Sequence, residues 1–97
     1  MNRQLRWTAR ARDDLLDIAE YIARDNQSAA CAWVDRLRAR ARLAADNPLA
    51  GRVVPEFGRE NIREVFVRSY RIVYRVREKA IDVLTVFEGH RLLDADD

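Results

Sequence analysis

Cysteine, glycine, proline and lysine are all scarce in this sequence: one Cys, three Gly, two Pro and one Lys in 97 residues. With Cys31 alone, an internal disulfide and a CxxC metal spacing are both excluded. Its neighbours Ala30, Ala32 and Trp33 make it a packing thiol, expected to be buried, in a reducing compartment. Glycine and proline are too few for a flexible linker, and no internal repeat or low-complexity segment is present. No apolar run approaches the roughly 18 residues of a membrane span. The N-terminus carries Arg3 and Arg6 with no apolar core behind them, so a signal peptide is not expected either. A cytoplasmic protein with no membrane partner is the expectation.

The residues that are present describe a globular chain. Hydrophobic residues make up 48% and charged residues 35%, a balance that excludes intrinsic disorder. At this length a single domain over residues 1–97 is expected, one that buries about 60 to 65 per cent of its unfolded surface. Lys79 is the one lysine and all other basic residues are arginine, yet the net charge is only +2. Three aspartates fall in Asp94-Ala95-Asp96-Asp97, so residues 1–93 carry +5. That favours an acidic partner mildly and does not demand phosphate binding, so direct nucleic-acid binding is not expected.

In chain order, Gln4 to Trp7 alternates as a strand, and Thr8 is a good N-cap. Ala11, Leu15, Ile18, Ala19 and Ile22 then form one stripe of an amphipathic helix that stops near Asp25-Asn26, with Asp13, Asp14, Asp17 and Glu20 on its solvated side. A second helix, capped by Asn26 or Ser28, runs to about Asp46 with Ala30, Trp33, Val34, Leu37, Ala41 and Ala44 as its stripe. Arg36 with Arg40 and Arg38 with Arg42 stand one turn apart and make its outer side positive, facing water or pairing with first-helix carboxylates. Asn47-Pro48-Leu49-Ala50-Gly51-Arg52 opens a surface loop containing Pro55 and Gly58.

Three strands follow: Ile62 to Arg68, Tyr70 to Arg77, and Ala80 to Phe87 after a turn at Glu78-Lys79. In the central strand the period of two puts Tyr70, Ile72, Tyr74 and Val76 on one face and Arg71, Val73, Arg75 and Arg77 on the other. All three strands carry apolar groups on both faces, as in Val65 with Phe66, Val73 with Tyr74, and Val83 with Leu84. A helical hairpin covers one face of a sheet. The second face is therefore expected to be an exposed apolar patch that marks a partner surface and favours self-association of the free chain.

These strings, with Ile62-Arg63-Glu64-Val65, Tyr70-Arg71-Ile72-Val73-Tyr74-Arg75-Val76 and Phe87-Glu88-Gly89-His90-Arg91, resemble toxins of the RelE/ParE superfamily, on the ParE side, over nearly the whole chain. The resemblance implies an α+β fold: an N-terminal strand, a two-helix hairpin and a three-stranded antiparallel meander, with the helices packed on one face of the sheet. It also implies a type II toxin neutralised by a cognate antitoxin. ParE-like members inhibit DNA gyrase by binding; RelE-like members are ribosome-dependent mRNA endonucleases. No cofactor or metal is implied for either.

Metal-free RNA cleavage needs a base, an acid and cations against the developing charge. Arg71 and Arg91 match positions where the nucleases place such arginines. The nucleases' lysines have no counterpart between Gly51 and Gly58, and no tyrosine follows Arg91. His90 is a candidate acid or base, and Arg71 reads equally well as a strand-face partner of Glu64 or Asp82. The balance favours a ParE-like gyrase inhibitor over an enzyme, with the ribonuclease as the alternative. A basic nucleic-acid-binding module using the Arg36 to Arg42 side is a third reading. Candidate target-binding residues are Arg63, Arg71, Glu88, His90 and Arg91. Candidate antitoxin contacts are Leu16, Val73 and Leu84.

Overall fold

A computed structural model describes residues 3–89. The chain runs β1 (Gln4–Trp7), α1 (Ala9–Ala23), α2 (Gln27–Asp46), a 3₁₀ turn at Pro48–Ala50, β2 (Arg52–Val53), β3 (Ile62–Val67), β4 (Tyr70–Val76) and β5 (Ala80–Glu88). Each helix starts where a polar side chain meets its orphan amides: Thr8 Oγ1 accepts from Ala11 N–H at 3.1 Å and Asn26 Oδ1 from Ala29 N–H at 3.0 Å. Both helices lie on one face of the sheet.

The five strands stand in the order β1-β5-β4-β3-β2. β3, β4 and β5 form the antiparallel meander, and β1 returns parallel to β5, with Gln4 opposite Ala80 and Trp7 opposite Val83. The short β2 falls in the stretch that the sequence presents as plain loop. Its two residues pair with Arg63 and Glu64. They carry too little periodicity to announce a strand.

On the helical side Leu15, Leu37, Ile72, Tyr74, Ile81 and Val83 build the main core. Buried Ala30, Ala41, Ala44 and Ala45 let α2 lie close to its neighbours. Tyr74 donates its hydroxyl to Pro48 C=O at 2.6 Å, so this fully buried phenol is satisfied. It also ties the sheet centre to the turn after α2. A Cβ at Gly51 would run into the Tyr74 ring and lie 2.8 Å from Glu64 C=O, which makes glycine obligatory at this crossing.

β5 carries a bulge, because Tyr74 pairs with Val83 and Val73 with Thr85, leaving Leu84 unmatched. Residues from the start of α1 close the outer margin there. Thr8 bonds Val83 C=O through both its N–H and its hydroxyl, and Asp14 accepts from the Thr85 hydroxyl at 2.6 Å and Val86 N–H at 3.0 Å. Two side chains thus stand in for a strand beyond the end of β1.

The expected open second face is not there. Val54, Ile62 and Val73 are buried in a second cluster with Phe57, Leu84 and Phe87 against it, because the chain between β2 and β3 folds back over the sheet. The free-standing apolar sheet face is therefore corrected, and the expected self-association loses the ground it was argued from. Cys31 departs from expectation too: it is exposed, since the helix turns it away from the Ala30–Leu37 stripe. The α2 arginines do not pair with α1 carboxylates among the described residues. Arg36 stacks on Trp33 and Arg42 reaches Arg3 C=O and Asp46.

Asp82 sits between Arg6 and Arg77. Burial opposes its charge, but the hydrogen bonds and fields of the two guanidinium groups outweigh that and hold the carboxyl below the usual range. A depressed folded-state pKa stabilises fully above the unfolded value of about 3.9, and the contribution is lost as pH falls through the folded value. Asp82→Asn should therefore lower stability at pH 7 and flatten the loss of stability below about pH 4. Urea titrations of both proteins across that range check this; parallel pH profiles would contradict it.

Candidate functional site

The sheet face away from the helices is built by alternation. Glu64 stands opposite Val73, Phe66 opposite Arg71, and Arg71 opposite Phe87. Arg71 is only 4% exposed and Glu64 1%, so two charges are taken out of water together. The Arg71 Nε donates to Glu64 Oε1 at 2.6 Å, and its two terminal nitrogens clasp both oxygens of Glu56 at 3.0 and 3.1 Å. Arg52 holds the other oxygen of Glu64 from the solvent side. Phe87 lies under the guanidinium, 5.0 Å from ring centroid to Arg71 Cζ.

Burial works against the Arg71 charge, but hydrogen bonds to Glu56 and Glu64 exceed that and raise its pKa above the ordinary value. Its donors are spent on carboxylates. A guanidinium held in this way cannot turn to a phosphate without leaving Glu64 buried and short of a partner.

Arg63 is likewise occupied: it donates to Glu60, Leu49 and Gly51 carbonyls and so pins the loop ahead of β3. Glu88 ends β5, exposed, opposite Tyr70. Burial first, then the field of Glu88, raises the Tyr70 pKa. His90 and Arg91 lie outside the described residues. Arg71, Arg63 and Glu88 thus form no single constellation: one is buried, one is a loop clasp, one is on the surface. Among the described residues no group of three His, Cys, Asp or Glu could hold a metal ion, and no helix is long and apolar enough to cross a membrane.

Of the candidate antitoxin contacts, Leu16 is 61% exposed on α1, whereas Val73 is 1% exposed and Leu84 packs into the back cluster. Val73 is corrected from a surface contact to a core residue. Leu16 has company instead from Tyr21, Leu43, Leu49 and Phe66, all large, apolar and exposed. Beside α1 a groove of about 360 Å³ is lined by Ala19, Ala23, Ala30, Cys31 and Val34. Among the described residues the large exposed apolar side chains thus lie on the helices, the turn after α2 and one sheet margin.

Residues 5–93 match the family described as ParE toxin of type II toxin-antitoxin system, parDE. The chain belongs to the ParE toxin family. It is 33% identical over 92 residues to a toxin candidate of Sinorhizobium fredii, Y4kP, covering 92% of this chain and 91% of that one. A solved structure from the chromosomal ParDE TA system of P. aeruginosa superposes with a TM-score of 0.73 over 89% of this chain and 95% of that chain. At 20% identity the likeness shows the fold, which this ParE-family toxin shares.

Glu56 was missed by sequence reasoning, since an acid in a Pro/Gly-bearing loop carries no periodic signal. Phe66 alternates out of phase with buried Val65 and Val67, and that was legible. Arg71→Ala should cost about 3 kcal/mol, because it leaves Glu64 buried beside a single surface arginine. Urea denaturation measures this; a loss under about 1 kcal/mol would show the cluster to be a weak surface pair.

Proposed function

We propose that this ParE-family toxin stops growth by docking on DNA gyrase and stalling its cleavage complex, and that a cognate antitoxin neutralises it by covering exposed apolar side chains of the helical hairpin. The observation that carries this reading is the closure of Arg71 between Glu56 and Glu64. A ribonuclease needs that arginine free to meet a phosphate oxygen; here its donors already serve two carboxylates.

A binding inhibitor needs a rigid surface and no proton donor of tuned pKa. The back cluster packs the chain between β2 and β3 against the sheet, with the Arg71 ion pairs beside it. The exposed Glu88 and the following His90-Arg91 then serve as docking contacts, and Leu16 with Tyr21 offers apolar side chains for an antitoxin segment.

The purified chain should inhibit gyrase supercoiling and leave ribosome-programmed mRNA intact. Ribosome-dependent mRNA cleavage with unaffected gyrase would replace the reading by the nuclease alternative.

A further inference from the structure

The two margins of the sheet are finished differently. Thr8 and Asp14 close the outer margin of β5 beyond β1. On β3, the inward bond from Val76 N–H to Asn61 C=O and the outward bond from Val54 N–H to Ile62 C=O fix the alternation. The backbone groups of Ile62, Glu64 and Phe66 therefore point outward. β2 reaches only Glu64, so among the described residues Phe66 presents its N–H and C=O at a margin with no strand beside it.

A groove of about 520 Å³ runs along this margin, lined by Arg36, Arg40 and Leu43 of α2 and by Phe66, Val67 and Arg68. Three guanidinium groups border it and, among the described residues, no carboxylate does. Among the described residues Arg36, Arg40 and Arg68 have no ion-pair partner. Leu43 and Phe66, 56% and 41% exposed, give it apolar patches. Arg52, paired with Glu64, covers the outer side of Phe66 at 5.2 Å from the ring centroid.

We propose that this margin binds an extended acidic segment of a partner polypeptide, added as a further strand on β3, with carboxylates facing Arg36, Arg40 and Arg68 and alternate apolar side chains on Phe66. The inference rests on the reading that an antitoxin polypeptide covers this toxin, and it specifies where and by what chemistry. A strand answers the Phe66 donor and acceptor together, and its alternation delivers charge to the α2 side and apolar groups to the other. A DNA backbone offers acceptors only, which would leave the Phe66 carbonyl unmet.

The test uses the full chain and a synthetic peptide alternating Leu with Glu, beside its Leu/Gln isostere and a single-stranded DNA oligonucleotide. The Leu/Glu peptide should shift the amide signals of Leu43, Phe66 and Val67 and slow exchange of the Phe66 amide. Arg40→Glu with Arg68→Glu, or the Leu/Gln isostere, should weaken binding about tenfold or more. No peptide binding, shifts on Leu16 and Tyr21 instead, or groove shifts with the oligonucleotide and none with peptide would each overturn the proposal. If the product of an adjoining antitoxin gene binds the doubly substituted chain as tightly as the parent, the groove assignment falls and the antitoxin reading stands. If that product binds neither chain, both fall.

Discussion

Removing Arg71 from water beside two carboxylates is the constraint on which the rest of the sheet's second face depends. A single buried charge would cost several kcal/mol; a guanidinium satisfied by Glu64 and by both oxygens of Glu56 does not. Because Glu56 belongs to the chain between β2 and β3, the ion pair fastens that chain over the sheet. Val54 and Phe57 then close over Ile62, Val73, Leu84 and Phe87. The ion pair thus reinforces a closure that the apolar packing of Val54 and Phe57 also makes.

That closure redistributes the sticky surface of the molecule. With the back face shut, the large exposed apolar residues are Leu16 and Tyr21 on α1, Leu43 on α2, Leu49 in the turn after it and Phe66 at the β3 margin. These side chains lie on different elements and are the apolar surface that a partner could cover. The chain belongs to the ParE family, whose toxins form half of a toxin-antitoxin pair.

The sequence made the elements legible wherever periodicity was strong: β1, both helices with their Thr8 and Asn26 caps, and the meander all fall where the pattern puts them. The greasy face of β4 was legible for the same reason. Alternation alone could not say what covers the other face, since the eight-residue loop between β2 and β3, with Pro55 and Gly58, carries no hydrophobic period. The fates of Arg71, Val73 and Leu84 all turned on that loop. Cys31 misled because alanine neighbours look like core, while a helix turns adjacent residues about 100° apart. His90 and Arg91 are legible only as a motif.

Arg71 is a structural cation, and the docking mode proposed above requires that its charge play no part in the activity. The most direct test replaces the buried charges together, Arg71→Met with Glu64→Leu and Glu56→Gln, so that no buried charge is stranded. With folding verified by circular dichroism, gyrase inhibition by this variant should stay within about threefold of the parent. A folded variant that has lost all inhibition would contradict the account, because it would give the Arg71 guanidinium a part in the activity itself.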